Sequence, residues 1–337
     1  MAFSVIGRRF YCAHCNIKIL LTLLPVVIIV NVFLYILLFS KSAVVVVQFD
    51  DIPNNLVPDP GNLKILNSSK SAKACDVFSK TFSGELMCPE QPATDEMLES
   101  IKSKYGIKPG GVWKPESCIT PYRVAIIIPY RDRPQNLRDF LAYMHPFLVY
   151  QELEYRIVVV EQAPGRPFNR AKLFNVGFQE TEKIGNTPCY IFHDVDLIPQ
   201  NAKNIYACTG LVRHMSANID VFEYKVPYDS IIGGAVAIRK SQFVDINGFS
   251  NTFFGWGGED DDFYNRITKD SNKICRYAPD VSQYVMLSHK KQKPSTDRYY
   301  FLMTGKDRYC TDGLNSLKYT VLKLEKTPLY TRILVDL

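Results

Sequence analysis

Phe253 to Arg266 reads FFGWGGEDDDFYNR, with one of the chain's two tryptophans, three glycines and four consecutive acids. Glycine lacks the Cβ that blocks close approach, so Gly255, Gly257 and Gly258 let backbone come near a ligand. Glu259, Asp260, Asp261 and Asp262 then open a predicted helix, with Phe263 and Ile267 one turn apart. The positive end of a helix welcomes one or two acids. Four in a row repel and raise one another's pKa, so helix capping accounts poorly for all of them. A tryptophan beside clustered carboxylates suits a sugar: the ring stacks on its apolar face and the acids take its hydroxyls. One carboxylate of tuned pKa can also act as a base.

A second cluster follows from the elements that would carry it. Val124 to Pro129 (VAIIIP), Tyr155 to Val160 (YRIVVV) and Cys189 to His193 (CYIFH) are apolar runs typical of strands buried on both faces. A helix opened by Asp132 and Pro134, with Asp132 as its cap, separates the first pair. A second helix runs from about Arg170 to Lys183 and stops at Gly185. This β-α-β-α-β order predicts an α/β, doubly wound, mostly parallel sheet. Ligands bind such sheets beyond the carboxyl ends of the strands. Those ends carry Arg131 and Arg133, then Glu161 and Gln162, then Asp194 and Asp196. Two arginines and two aspartates at one rim suit a metal-bridged diphosphate, because guanidinium forks fit phosphates and carboxylates fit Mg²⁺ or Mn²⁺. The same aspartates would also suit a plain turn, where they bond backbone N–H groups.

The chain has 337 residues, 47% of them hydrophobic, and a net charge of +6 with both signs mixed. That charge is too weak and scattered to argue for nucleic acid. Ile19 to Phe39 holds no charge and is long enough to span a bilayer as a helix. Arg8, Arg9 and Lys18 precede it without an acid, which predicts a cytosolic amino terminus and a type II membrane protein. The expected organisation is a cytosolic tail (1–18), a transmembrane signal-anchor helix (19–39), a lumenal stem (40–81) and a catalytic domain (82–337). Cys12, His14 and Cys15 are too few ligands for a zinc site in the tail. Cys75, Cys88, Cys118, Cys189, Cys208, Cys275 and Cys310 lie on the lumenal side, where disulfides form; the odd count leaves a thiol over. Asn67-Ser68-Ser69 is a sequon for glycosylation at Asn67. His289 follows a predicted strand, Gln283 to Leu287, but neither it nor Met286 stands out by spacing alone.

PYRDR (129–133), FNRAKLFNVGF (168–178), FHDVDLIP (192–199), GGAVAI (233–238), NGFSNTFFGWGGEDDDFYNR (247–266) and TDGLNSLKY (311–319) occur in this order. Together they closely resemble the β-1,4-galactosyltransferase family (glycosyltransferase family 7), Golgi type II enzymes that transfer a sugar from a UDP-sugar to terminal N-acetylglucosamine. The resemblance covers roughly 88–337 and implies a fold of the GT-A type. It implies that Arg131, Arg133, Phe168, Arg170, Asp194 and Val195 contact UDP, and that Asp196, Met286 and His289 bind Mn²⁺, the soft thioether favouring Mn²⁺ over Mg²⁺. It places the acceptor on Tyr228, Trp256, Gly258, Glu259, Asp260 and Asp261, with Arg298 and Tyr299 in a segment that closes over donor. Asp260, with Glu259 beside it, would be the catalytic acid pair, Asp260 taking the proton of the acceptor 4-hydroxyl. The implied disulfides are Cys88–Cys118 and Cys189–Cys208.

Two departures change the expectation. Ile231 stands where the vertebrate members carry a tyrosine that crowds the donor's 2-substituent. The smaller side chain resembles invertebrate members and points to UDP-N-acetylgalactosamine (UDP-GalNAc) as donor, with a GlcNAc-terminated glycan as acceptor. UDP-galactose (UDP-Gal) is the alternative donor, and an inactive Golgi lectin or scaffold the alternative class. Val221 replaces a family lysine near the donor phosphates, a charge that Lys225 could supply. Dimerisation through the membrane segment or Cys75 is also open.

Overall fold

The computed structural model describes Pro25, Ile28, Ile29, Asn31 and residues 43–68, 73–77, 91–290 and 292–337. The chain divides into two units, Met1–Ala43 and Val44–Leu337. Apart from four positions, the apolar run 19–39 lies outside the described residues. Among the described residues, no helix is long and apolar enough to cross a membrane.

Among the described residues, the second unit carries thirteen strands. They are β1 (Val44–Val47), β2 (Val112–Trp113), β3 (Arg123–Tyr130), β4 (Glu154–Gln162), β5 (Cys189–His193), β6 (Leu197–Pro199) and β7 (Val212–His214), then β8 (Asn218–Ile219), β9 (Ala235–Arg239), β10 (Ile274–Tyr277), β11 (Gln283–Met286), β12 (Thr320–Lys326) and β13 (Thr331–Asp336). The large sheet runs β1-β10-β7-β9-β5-β3-β4-β13-β12, with β2 on β4; a small sheet runs β6-β11-β8. The expected centre is present: β3 pairs parallel with both β4 and β5. The mostly parallel expectation holds at this centre, while β9 between β5 and β7, β12 on β13 and β2 on β4 run antiparallel and make the sheet mixed.

Both faces of this centre are covered, which is why its strands read as unbroken apolar runs. Leu137, Phe140, Leu141 and Met144 of the Pro134–Tyr150 helix are buried on one core. The Arg170–Ile184 helix buries Leu173, Phe174 and Val176 in the other. Gly177 lets that helix lie close to the sheet: a Cβ there would fall 2.2 Å from Ile127 Cγ2 on β3 and 2.9 Å from Val160 Cγ2 on β4. Gly177→Ala is therefore expected to cost about 1–3 kcal/mol of stability by overpacking, read as a lowered urea midpoint.

Asp132 does not cap its helix; it has φ 52°, and Arg133 is the N-cap residue, with Pro134 in the first turn. Residues 44–68, read by composition as stem, join the folded unit: β1 pairs parallel with β10. Four valines supply a strand whose partner lies far along the chain, so local periodicity gives no sign of the pairing. Cys118 bonds Cys75, not Cys88, with S–S 2.02 Å. Backbone bonds from Cys75 to Ile119 and from Ile119 to Lys73 align the two segments and bring the thiols together. Cys88 lies outside the described residues. Cys189–Cys208 forms as expected, and Cys275 and Cys310 are free. Asn67 is exposed in the Pro60–Ser68 helix.

Candidate active site

The carboxyl ends of β3 and β5, the start of the Arg170–Ile184 helix and the start of the Glu259–Thr268 helix open into one cleft of about 700 Å³. Arg131, Arg133, Phe168, Arg170, Asp194, Val195, Asp196, Trp256, Glu259, Asp260, Met286 and His289 all line it. So does Val221, an exposed side chain beside Phe222.

Asp194 and Asp196 sit in the turn that leaves β5. Asp194 N–H donates to Gly234 O at 3.0 Å, and Asp196 O accepts from Leu287 N–H at 2.7 Å. The turn is thus tied to the segments before β9 and after β11, which aims both carboxylates into the cleft. Arg133 Nη1 donates to Asp196 Oδ2 at 2.6 Å, and His289 Nδ1 lies 3.1 Å from the same oxygen. Arg131 stacks over Phe168 at 5.3 Å and donates to Arg166 O. The two arginines and two aspartates expected at the rim do meet there. Glu161 and Gln162 serve the scaffold instead: Glu161 pairs with Arg332 at 2.6 Å, and buried Gln162 accepts from Asn169 N–H.

Arg170 joins the two halves of the cleft. Its Nε donates to Asp194 Oδ1 and its Nη1 to Asp260 Oδ1, both at 2.5 Å, and Nη1 lies 3.8 Å from Glu259. Asn169 fixes its origin by capping the helix, its side chain accepting from Lys172 N–H. Sequence reading placed Arg170 on the donor alone; its bond to Asp260 crosses 90 residues and leaves no local signal. Burial and the neighbouring acids raise the pKa values of Asp194, Asp260 and Glu259, while Arg170 opposes the rise.

Gly258, with φ 92°, is the N-cap of the acid-bearing helix. All four acids fall in its first turn, and Phe263 and Ile267 are buried as expected. The acids separate by environment. Asp262 is fully buried and bonds Arg266 at 2.7 Å, so it is structural. Burial and Asp260 push the Asp261 pKa up, while the nearby hydroxyl of half-exposed Tyr228 draws it down. Glu259 is 8% exposed, and one of its oxygens lacks a hydrogen-bond partner. Its pKa is pushed up to about 7, first by burial and then by Asp260. A carboxyl raised in the folded state makes that state hold its proton longer, so its contribution to stability falls as pH rises from the ordinary carboxylate range towards 7. Glu259→Gln is expected to match wild type near pH 4 and to become the more stable protein by pH 7, read from thermal melts across that window.

Trp256 is 54% exposed and forms the outer wall. Arg298 stacks over it at 5.5 Å and over Tyr299 at 4.6 Å, so both residues of the expected closing segment sit beside the tryptophan rather than on the cleft lining. Ile231 is likewise absent from that lining; it is half-buried in the neighbouring loop. Lys225 does not replace the charge missing at Val221, because it is exposed and paired with Glu223 at 2.9 Å. Gly255 lines the cleft, as its place before Trp256 led one to expect, and Phe222, Gln292 and Pro294 join it without any signal in the sequence. Asp196, His289 and Met286 fit a divalent ion of the Mn²⁺ kind: a carboxylate and an imidazole already converge, with a thioether on the same wall. Among the described residues one other group clusters ligand atoms, Cys75, Cys118 and Glu152, and its sulfurs are spent in the disulfide.

A mixed sheet with paired acids past a central strand, arginines at the rim and a tryptophan wall has the form of a nucleotide-sugar glycosyltransferase. Residues 75–209 match the N-terminal region of glycosyl transferase group 7, and 213–290 match the N-terminal domain of galactosyltransferase. Mouse β-1,4-galactosyltransferase 1 is 42% identical over 79% of this chain and 67% of its own length. Chinese hamster (Cricetulus griseus) β-1,4-galactosyltransferase 4 is 40% identical over 78% and 76%. The solved Drosophila β-1,4-galactosyltransferase 7, one form of which holds manganese, UDP-Gal and xylobiose, is 28% identical with TM-score 0.55, covering 64% of this chain and 94% of that one. The chain belongs to glycosyltransferase family 7, the β-1,4-galactosyltransferase family.

Proposed function

We propose that this chain is a Mn²⁺-dependent, inverting hexosyltransferase that moves galactose from UDP-Gal to the 4-hydroxyl of a terminal β-linked GlcNAc. The observation that carries the reading is Arg170, which holds Asp194 on the nucleotide side and Asp260 on the acceptor side within 2.5 Å of one guanidinium. Donor and acceptor chemistry are thereby set one side chain apart. Arg131, Arg133 and Arg170 supply the cationic donors for the diphosphate. Asp196, Met286 and His289 are the residues that would hold the ion, whose charge neutralises the departing UDP. Trp256 offers its ring to the acceptor, with Tyr228 and Asp261 positioned to bind hydroxyls. Asp260 takes the 4-hydroxyl proton as that oxygen attacks the anomeric carbon from the face opposite UDP. One displacement turns an α-linked donor into a β-linked product.

The relatives' names favour galactose over the N-acetylgalactosamine expected from sequence. The second donor keeps one support, the aliphatic Ile231 noted in the sequence, although that side chain does not line the cleft. Initial rates with UDP-Gal and UDP-GalNAc in separate tubes, with Mn²⁺ and a GlcNAc-terminated acceptor, decide between them. Faster UDP-Gal turnover supports the reading, and faster UDP-GalNAc turnover replaces the donor. No transfer from either donor favours a lectin or scaffold. The uncharged run 19–39 supports a single-pass anchor in the Golgi membrane, with this unit lumenal. The exposed Asn67 would then carry a glycan, and N-glycosidase treatment would shift the protein's mobility.

A further inference from the structure

We propose that Arg276 is a positioning residue for Asp260 and Asp261, acting through the 228–234 loop. The inference rests on the reading above that these two acids face the acceptor.

Arg276 lies on β10 and is 6% exposed. Its Nη2 donates to the carbonyls of Asp229 and Ile231, each at 2.8 Å. Its Nε donates to His214 Nδ1 at 3.2 Å. A ring that accepts at Nδ1 carries its proton on Nε2, and His214 Nε2 lies 3.0 Å from Gly233 O, so it donates there. Burial and the adjacent guanidinium push the His214 pKa down to about 3, which keeps the ring in this neutral form. Ser216 Oγ donates to the same carbonyl at 3.1 Å. The carbonyls of residues 229, 231 and 233 are therefore all gripped from behind by one buried cluster.

The loop's other side meets the acids. A Cβ on Gly233 would lie 2.5 Å from Asp260 Oδ2, so the loop backbone abuts that carboxylate. Tyr228 at the start of the loop sits close enough to Asp261 for its hydroxyl and that carboxylate to shift each other's pKa. A guanidinium is costly to bury, and the contacts of this one converge on the loop whose backbone abuts Asp260 and whose Tyr228 side chain lies near Asp261. Strand β1 backs it, Val46 pairing with Arg276. Loosening Arg276 would let the loop move, and the two carboxylates with it.

The test compares full-length wild type, Arg276→Met, Arg276→Lys and Asp260→Asn, with Mn²⁺, UDP-sugar and a GlcNAc-terminated acceptor. Arg276→Met is expected to lower kcat about 10- to 100-fold and raise the acceptor KM, since misplacement on the order of 1 Å costs that much. Its affinity for Mn²⁺–UDP, measured by calorimetry, should stay near wild type. Arg276→Lys keeps a donor and should recover part of the loss. Wild-type kcat and acceptor KM in Arg276→Met, whatever its Tm, would overturn the proposal. So would equal losses in kcat and UDP affinity, which mark general damage. If Arg276→Met does not fold, the same split read on Arg276→Lys decides. Wild-type turnover by Asp260→Asn would remove the underlying assignment as well. An inactive Asp260→Asn beside an unaltered Arg276→Met would sink this inference alone.

Discussion

Asp260→Asn is expected to lower kcat about a thousandfold, within the usual range for removing a positioned general base. The substitution keeps the size of the side chain and its contact with Gly233. It also keeps an oxygen for Arg170 Nη1, which now donates to Oδ1 at 2.5 Å. What it removes is the ability to accept a proton from the acceptor hydroxyl. Stability and UDP affinity should therefore stay close to wild type while turnover collapses. Stopped-assay kinetics alongside calorimetric titration with Mn²⁺–UDP separate the two. A variant that turned over at the native rate would take Asp260 out of the role of base. A variant that lost UDP binding in proportion would show that its carboxylate serves the donor instead.

Arg170→Met is expected to be the most damaging single change in the cleft, on stability as well as on rate. The side chain is 14% exposed and meets Asp194, Asp260 and Glu259 together. Methionine fills some of the volume and leaves three carboxylates facing one another with no cation between them. Removing one partner of a buried ion pair costs about 3 kcal/mol or more, because the remaining charge stays desolvated. The pH dependence follows from the same charges. Without Arg170 the three carboxyls hold protons to still higher pH in the folded state than in the unfolded chain. A raised folded pKa gives stability that falls as pH rises. The deficit of Arg170→Met relative to wild type should thus be largest at pH 8 and shrink towards pH 5. Thermal melts at the two pH values check it, and an equal deficit at both would contradict the electrostatic account.

Much of this site was legible in the sequence because its parts are local. The runs VAIIIP, YRIVVV and CYIFH are buried on both faces and gave the central strands β3, β4 and β5. The carboxyl ends of those strands located the cleft, and WGGEDDD located its far wall. What escaped the reading is non-local. The pairing of Val44–Val47 with β10, the Cys75–Cys118 bond and the Arg170–Asp260 bond each join residues distant in sequence. Each depends on the finished fold rather than on a period of two or 3.6. Disulfide partners in particular cannot be deduced from spacing. The four acids show the limit from the other side. Composition and spacing present them as equivalent; the family resemblance separates Asp260 from Asp262, and burial gives the physical reason, Asp262 being locked onto Arg266 and Asp260 open to the cleft.

The central claim is that one cleft joins a UDP-hexose to the 4-hydroxyl of GlcNAc with inversion. The most direct measurement is the NMR spectrum of the product formed by the full-length protein from UDP-Gal and a GlcNAc glycoside, with Mn²⁺ and after its removal by chelator. The account predicts a β1–4-linked disaccharide that forms only with the metal present. An α-linked product, attachment at another hydroxyl, or equal yield after chelation would contradict it.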